Sequence, residues 1–292
     1  MFRKHPYLTG FSLLFVLCLV LVTLINSAHK SGSDFWHDNL IGIIRVEGIL
    51  MDSEPIVEKI RRMEKSDSVK GVILRINSPG GGVAVAQEIY DALSELRQTK
   101  PVYTSMGSVA ASGGYYIAAA TDRIFANSGT LTGSIGVLME WVNLGELGQK
   151  VGAEMVTLKS GKNKNSISMF KKPAPDELVL IQSVVNDSHE QFVQAILQGR
   201  PGMDETKLRT LADGRIFTGK QAYQEQLVDE LGSFQQVIDQ MGTDLEISGE
   251  IQTLEFEDDD EYDITSLLGL SSVKKWMSNQ QNTGVHLNYI LQ

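Results

Sequence analysis

Residues 6–28 carry no charged side chain, and residues 8–25 form an almost unbroken apolar run. A helix of about 20 apolar residues crosses the ~30 Å hydrocarbon layer of a bilayer. Arg3 and Lys4 precede the run, which sets the N-terminus in the cytoplasm and the rest of the chain outside it. A cleaved signal would want a shorter apolar core and small residues at both cleavage positions; Asn26-Ser27-Ala28 supplies only a weak site, and Leu17 before Cys18 rules out a lipobox. The pattern therefore predicts an uncleaved, single-pass transmembrane helix within residues 1–28, followed by a linker over residues 29–40.

Past the linker, short apolar runs alternate with segments of helical period. Val72, Ile73, Leu74 and Ile76 read as a strand buried on both faces. Strands are expected at residues 41–47, 69–77, 101–106, 122–127 and 154–159, and helices at residues 54–65, 83–98, 113–120 and 175–198. The last helix begins after Pro173 and Pro175, with Asp176 and Glu177 in its first turn. The later stretch ADGRIFTG reads as a helix end, a short strand and a new helix start. Strand–helix alternation predicts an α/β fold with a mainly parallel sheet and flanking helices. No internal repeat is present, so one unit per chain is expected, over residues 41–245.

Residues 246–292 differ in character. Residues 255–263, EFEDDDEYD, are an acidic run of the kind that forms solvated linkers. A short apolar helix candidate follows at residues 264–277. The chain ends VHLNYILQ, with Val285, Leu287, Tyr289 and Leu291 at period-two spacing, so one face of an extended strand would be apolar. Disorder is the expectation for this tail, with an edge strand or a docked extended peptide as alternatives.

Composition narrows the chemistry. A net charge of −10 argues against a nucleic-acid partner. Cys18 is the only cysteine, so no intramolecular disulfide forms. No CxxC, HExxH or Cys/His cluster suggests a metal, and no GxxxxGK[ST] or GxGxxG suggests a bound nucleotide; neither metal nor cofactor is expected.

Two segments carry the candidate chemistry. In SMGSVAASGGYYIAAA, Ser112 stands before Gly113 and Gly114 at a strand-to-helix turn. The hydroxyl is held out of the helix, beside backbone N–H groups that lack helical partners. Acyl transfer needs that pairing of a nucleophilic oxygen with oxyanion donors; a plain serine cap with glycines for close packing is the bland alternative. In VKGVILRINSPGGG, a strand runs into Ser78-Pro79 and three glycines, which let a ligand approach exposed backbone N–H groups. That loop suits an oxyanion site or an edge that binds extended peptide.

INSPGG, then AASGGYY about thirty residues later, then TGSIGV, resembles the signal peptide peptidase A family of serine proteases, over roughly residues 40–240. The resemblance implies a Clp protease/crotonase-like fold, a parallel-sheet superhelix with flanking helices, and a Ser–Lys dyad. It makes Ser112 the nucleophile, Gly81 and Gly113 the N–H donors of the oxyanion hole, and Ser134 the hydrogen-bond partner of the lysine.

The histidines fit that implication. His5, His29 and His37 lie near the apolar segment, His286 lies in the tail, and His189 sits mid-helix, where a solvated surface position is expected. A lysine serves as general base if burial lowers its pKa. From about 10.4, a shift of about 3 units costs roughly 4 kcal/mol. The family pattern K-S-G-x-x-K falls on Lys159 to Lys164, which makes Lys164 the base. The proline usual soon after is missing from Asn165-Ser166-Ile167-Ser168-Met169, so Lys162 stays a rival.

The resemblance implies an endopeptidase in the bacterial inner membrane, its catalytic domain outside the cytoplasm. Its substrates would be hydrophobic peptides, chiefly signal-peptide remnants, and it would assemble as a homo-oligomeric ring with serine and lysine meeting across subunit contacts. A general envelope quality-control protease, and more distantly a crotonase-like acyl-CoA enzyme or an inactive scaffold, are the alternatives.

Overall fold

The computed structural model describes residues 39–256 and 287–290. The expected membrane segment within residues 1–28, the helix candidate at residues 264–277 and most of the acidic run lie outside the described residues. Among the described residues no helix is long and apolar enough to cross a membrane.

The chain builds a mainly parallel sheet. Strand β1 (Leu40–Leu50) leads through helix α1 (Glu54–Lys65) to β2 (Val69–Gly82), and α2 (Val83–Leu96) leads to β3 (Val102–Ala111). After β3 come helix α3 (Gly113–Ala118) and strands β4 (Arg123–Ala126), β5 (Leu131–Gly133) and β6 (Leu138–Met139). Helices α4 (Gly145–Lys150), α5 (Pro175–Gly199) and α6 (Glu205–Leu211) follow. Then come β7 (Ile216–Thr218), α7 (Gly219–Gln224), β8 (Glu230–Leu231), α8 (Phe234–Asp244), β9 (Thr253–Glu255) and β10 (Leu287–Ile290). β1, β2, β3, β4 and β8 pair in parallel in that order, β9 adds to β1 and β5 to the far end of β3. β7 and β10 pair antiparallel.

Strand periodicity divides the core in two. Val72, Leu74 and Ile76 face the larger cluster with Ile89, Leu93, Tyr115, Phe192 and Ile196. Ile73, with Ile41, Ile43, Tyr103 and Phe125, faces Val237, Ile238 and Met241 of α8. Full burial of each such side chain contributes about 1.5–3 kcal/mol. With both faces covered, the strands read as continuous apolar runs.

Two expectations need correction. The glycines after Ser78 are not a loop: β2 runs on to Gly82, with Ile49 opposite Gly80 and Leu50 opposite Gly81 in β1. A Cβ at Gly81 would overlap the carbonyl of Leu50, so the close approach that keeps this stretch extended requires glycine there. The strand expected at residues 154–159 does not form; residues 153–159 are irregular and exposed, with Val156 78% and Leu158 95% accessible. Apolar residues make a strand only where an edge is available to pair, and this segment pairs with none among the described residues.

Candidate active site

The site grows from a divergence of two paired strands. β2 and β3 run in register from Val72 opposite Val102 to Ile76 opposite Met106. The next pair is Ser78 with Ala110, so β2 advances two residues while β3 advances four. The extra length of β3 is held from three sides. Val109 N–H donates to Asn77 Oδ1 at 3.2 Å. Thr130 Oγ1 donates to the Gly107 carbonyl at 2.7 Å and Thr132 Oγ1 to the Ala110 carbonyl at 2.6 Å. β3 thereby leaves β2, pairs with β5, and delivers Ser112 beyond the sheet.

Ser112 has φ 55° and ψ −118°, outside the regions an L-residue adopts without strain. Its N–H donates to the Gly133 carbonyl at 2.8 Å, and its own carbonyl accepts from Tyr116 N–H at 2.8 Å. The backbone is thus fixed on the strand side and the helix side at once. A sharp strand-to-helix turn of this kind holds a serine hydroxyl out of the helix, as in a nucleophile elbow. Ser112 is 1% exposed, and its Oγ is the one buried side-chain N or O without a hydrogen-bond partner among the described residues. Such a group costs about 1–3 kcal/mol. Strain and an unsatisfied hydroxyl at one residue mark a functional position.

The walls of the turn are apolar and dry. All six residues of α3 are buried. A Cβ at Gly114 would stand 2.8 Å from the Ser78 carbonyl, so glycine lets the helix close onto β2. Tyr115 OH donates to the Leu227 carbonyl at 2.8 Å, and burial pushes its pKa up. Burial also pushes Tyr116 up to about 12. Both phenols stay neutral, so neither supplies a base.

The structure brings four of the expected site residues together. Ser112 is bonded to Gly133, and Ser134 is the next residue, 8% exposed, with φ 51° and its N–H donating to the Arg215 carbonyl at 2.8 Å. Gly113 begins α3, and Gly81 lies three residues beyond Ser78, whose carbonyl abuts Gly114. Ser78, which sequence reasoning passed over, is fully buried and accepts Gly80 N–H on its Oγ at 3.1 Å. This bond fixes Gly80 at φ 102°, one residue before Gly81. The signal for it was the Ser-Pro-Gly run, since serine hydroxyls bond backbone N–H groups two residues on.

Lys164 is not brought to Ser112 within one chain. It lies in an exposed turn, its N–H 3.4 Å from the Gly161 carbonyl. Lys162 is also exposed, but it is bound to Asp176 Oδ2 at 2.6 Å in the first turn of α5. The hydrogen bond that Lys162 donates to Asp176 raises the Lys162 pKa, the wrong direction for a general base. Lys159 donates to the Lys162 carbonyl at 2.6 Å and to Asn165 Oδ1 at 2.5 Å. His189 is half-buried rather than solvated, its Nε2 2.8 Å from the Ala212 carbonyl. That bond occupies the ring nitrogen as a donor. His189, Gln182, Ile135, Arg215 and Ser134 line a cleft of about 820 Å³. Among the described residues no group of three or more His, Cys, Asp or Glu is placed to hold a metal ion.

Comparison with known proteins shows which family the chain belongs to. The sequence profile of peptidase family S49 matches residues 94–248, and that of Clp protease matches residues 44–132. The chain is 35% identical over 226 residues to a putative signal peptide peptidase SppA of Enterococcus faecium, covering 77% of this chain and 65% of that protein. It is 41% identical over 194 residues to a putative protease of Synechocystis, covering 66% of this chain and 70% of the relative. Protease 4 of Haemophilus influenzae is 34% identical over 212 residues, but the chain spans only 34% of its length.

Proposed function

The chain belongs to peptidase family S49, and we propose that it is a membrane-anchored serine endopeptidase that cleaves hydrophobic peptides in extended form, signal-peptide remnants first among them. The observation that carries this reading is Ser112: a strained turn, held by backbone bonds on both sides, with a buried hydroxyl that no group among the described residues satisfies.

The chemistry is acyl transfer. Ser112 Oγ attacks the scissile carbonyl carbon while an unprotonated Lys164 Nζ takes the hydroxyl proton. The N–H groups of Gly81 and Gly113 hold the oxyanion, a type of contact worth about 2.7–4 kcal/mol per donor in the transition state. The lysine passes the proton to the leaving amine, which releases the first product and leaves an ester on Ser112. Water, deprotonated by the same lysine, then cleaves the ester and restores the enzyme.

Lys164 reaches Ser112 from a second copy of the chain in a homo-oligomeric ring. Three features support this: the Ser112 hydroxyl lacks a partner, Lys164 is exposed, and the segment before it presents Met155, Val156 and Leu158 to solvent. The cleft beside Ser134 offers the lysine a polar neighbour. The N-terminal segment is the anchor, single-pass in the bacterial inner membrane, with the peptidase domain outside the cytoplasm.

Mixing two inactive proteins tests the reading. Ser112→Ala and Lys164→Ala chains, each inactive alone, should regain part of the peptidase activity on co-assembly. No recovery from an assembly proven to be mixed would contradict the shared site. Parallel assays on signal peptides and on unfolded proteins separate remnant clearance from general quality control.

A further inference from the structure

β3 gives up backbone partners where it leaves β2, and two side chains of β2 stand in for them. Met106 is the last residue of β3 paired with β2 before the divergence. Buried backbone groups that lose a ladder partner need another. Arg75 and Asn77 share one face of β2. Arg75 Nη1 donates to Ser105 Oγ at 2.9 Å and to the Met106 carbonyl at 3.1 Å. Asn127, just past β4, adds a longer bond of 3.4 Å to that carbonyl. Asn77 takes up Val109 N–H further on. Ser105 and Met106 are fully buried, so solvent reaches neither.

Arg75 is a costly choice for two bonds to neutral oxygens. It is half-buried, and among the described residues no carboxylate bonds it. Arg45 stands opposite it in β1 and pairs with Glu255 at 2.6 Å. Both guanidinium groups lie against the Phe234 ring, Arg75 at 5.1 Å and Arg45 at 5.6 Å from its centroid. Burial, and then the charge of Arg45, lowers the Arg75 pKa, against a smaller opposite pull from Glu47. Like charges on paired strands destabilise, and so does a buried charge without a counter-charge. An apolar residue would avoid both costs, but it would leave the Met106 carbonyl with Asn127 alone.

We infer that Arg75 is a positioning residue for Ser112: its guanidinium fixes the point where β3 turns away from β2, and so sets where the serine hydroxyl stands. The inference rests on the peptidase reading above. Ser112 lies six residues beyond Met106. Asn77, Thr130 and Thr132 hold the length between them. Released at its start, that length shifts and carries the turn with it. A displacement of about 1 Å at a reacting atom costs up to about a hundredfold in rate. Arg75 touches no reacting atom, so the loss falls on kcat and not on substrate binding.

The experiment compares full-length wild type with Arg75→Met, Arg75→Lys and Phe234→Leu on a fluorogenic apolar peptide. Arg75→Met should lower kcat about tenfold or more, with KM within about twofold and assembly size unchanged. The rate of fluorophosphonate addition to Ser112 should fall in step with kcat. Arg75→Lys keeps a cation that reaches one of the two oxygens, and it should restore kcat in part. Phe234→Leu removes the ring and leaves the clamp, so kcat should stay the same. A kcat for Arg75→Met within about twofold of wild type overturns the inference, as does an equal kcat for the Met and Lys variants. A loss shared by Phe234→Leu, or one that tracks loss of assembly, also overturns it, because Arg75 would then serve packing alone. Amide hydrogen exchange in Ser112→Ala chains gives a readout free of catalysis. There Arg75→Met should speed exchange at Gly107 to Val109 about tenfold while the amides of β1 keep their rates. Ser105→Ala, which removes one arm of the clamp, takes its place if Arg75→Met fails to fold. Unchanged exchange contradicts the clamp. If no chain cleaves any peptide, the peptidase reading fails, and hydrogen exchange still decides whether Arg75 holds the divergence.

Discussion

The N–H of Ser112 donates to the carbonyl of Gly133 at 2.8 Å, so the end of β3 and the end of β5 are locked together at the residue that turns into α3. That one bond places Ser112 beside Ser134, which comes from a different motif 22 positions later in the chain. It also holds Ser112 in a backbone conformation that an isolated Ser-Gly dipeptide would leave.

The strain at Ser112 has a stability consequence. A non-glycine residue in a sparsely populated backbone region costs about 1–3 kcal/mol. Ser112→Gly should relieve part of this and raise the thermal midpoint, while abolishing peptide cleavage. Ser112→Ala keeps the Cβ and the strain but removes an unsatisfied buried hydroxyl, so it too should be at least as stable as wild type. Thermal unfolding of the two variants checks this; a lower midpoint for Ser112→Gly contradicts the assigned strain.

Ser78 acts through Gly80. Replacing it with alanine leaves Gly80 N–H without its 3.1 Å acceptor in a buried stretch of β2, at a stability cost of about 1–3 kcal/mol. Loosening the extended glycines moves Gly81 relative to Ser112, so kcat should fall tenfold or more with little change in KM. Ser78→Thr keeps the hydroxyl and should recover part of the loss. Equal kcat for wild type and Ser78→Ala would remove this positioning role.

The two lysines of the exposed loop should separate cleanly. Lys164→Ala should be as inactive as Ser112→Ala, because residues that act as a unit are non-additive. Lys162→Ala breaks only an exposed pair with Asp176, so little change in stability is expected. Steady-state kinetics of both variants check the assignment, and an inactive Lys162→Ala beside an active Lys164→Ala would reverse it.

Acid should weaken the packing of α6 on α5. Arg209 grips both carboxylate oxygens of Glu190 at 2.7 Å, and this hydrogen bonding lowers the Glu190 pKa from 4.5 to about 2. The folded-state pKa is depressed, so the contribution is present above the unfolded value and fades as pH falls from about 4.5 toward 2. The pair is exposed, so the effect is small. A pH series of chemical unfolding should show a shallower acid decline for Arg209→Ala than for wild type; identical slopes would show that the pair contributes nothing.

The sequence made the core and the strand-to-helix turn at Ser112 legible because both rest on local pattern. Continuous apolar runs marked β1 to β4, and a serine before two glycines marked the turn into α3. Pairing was less legible, since it depends on which edges remain open. The apolar residues before Lys159 predicted a strand that has no partner among the described residues. The three glycines predicted a loop, yet β1 holds them extended. For the tail, disorder was the expectation, yet β10 pairs where β3 departs. The Ser78 bond to Gly80 and the half-buried place of His189 were not legible because both depend on backbone groups that only the fold brings within reach.

The central claim is that Ser112 Oγ is the activated nucleophile, and a fluorophosphonate tests it most directly. Treatment of the full chain followed by peptide mass spectrometry should find one adduct, on Ser112, absent from Ser112→Ala and strongly reduced in Lys164→Ala. An adduct on Ser105 or Ser108 instead, or no adduct on a folded and assembled chain, would contradict it.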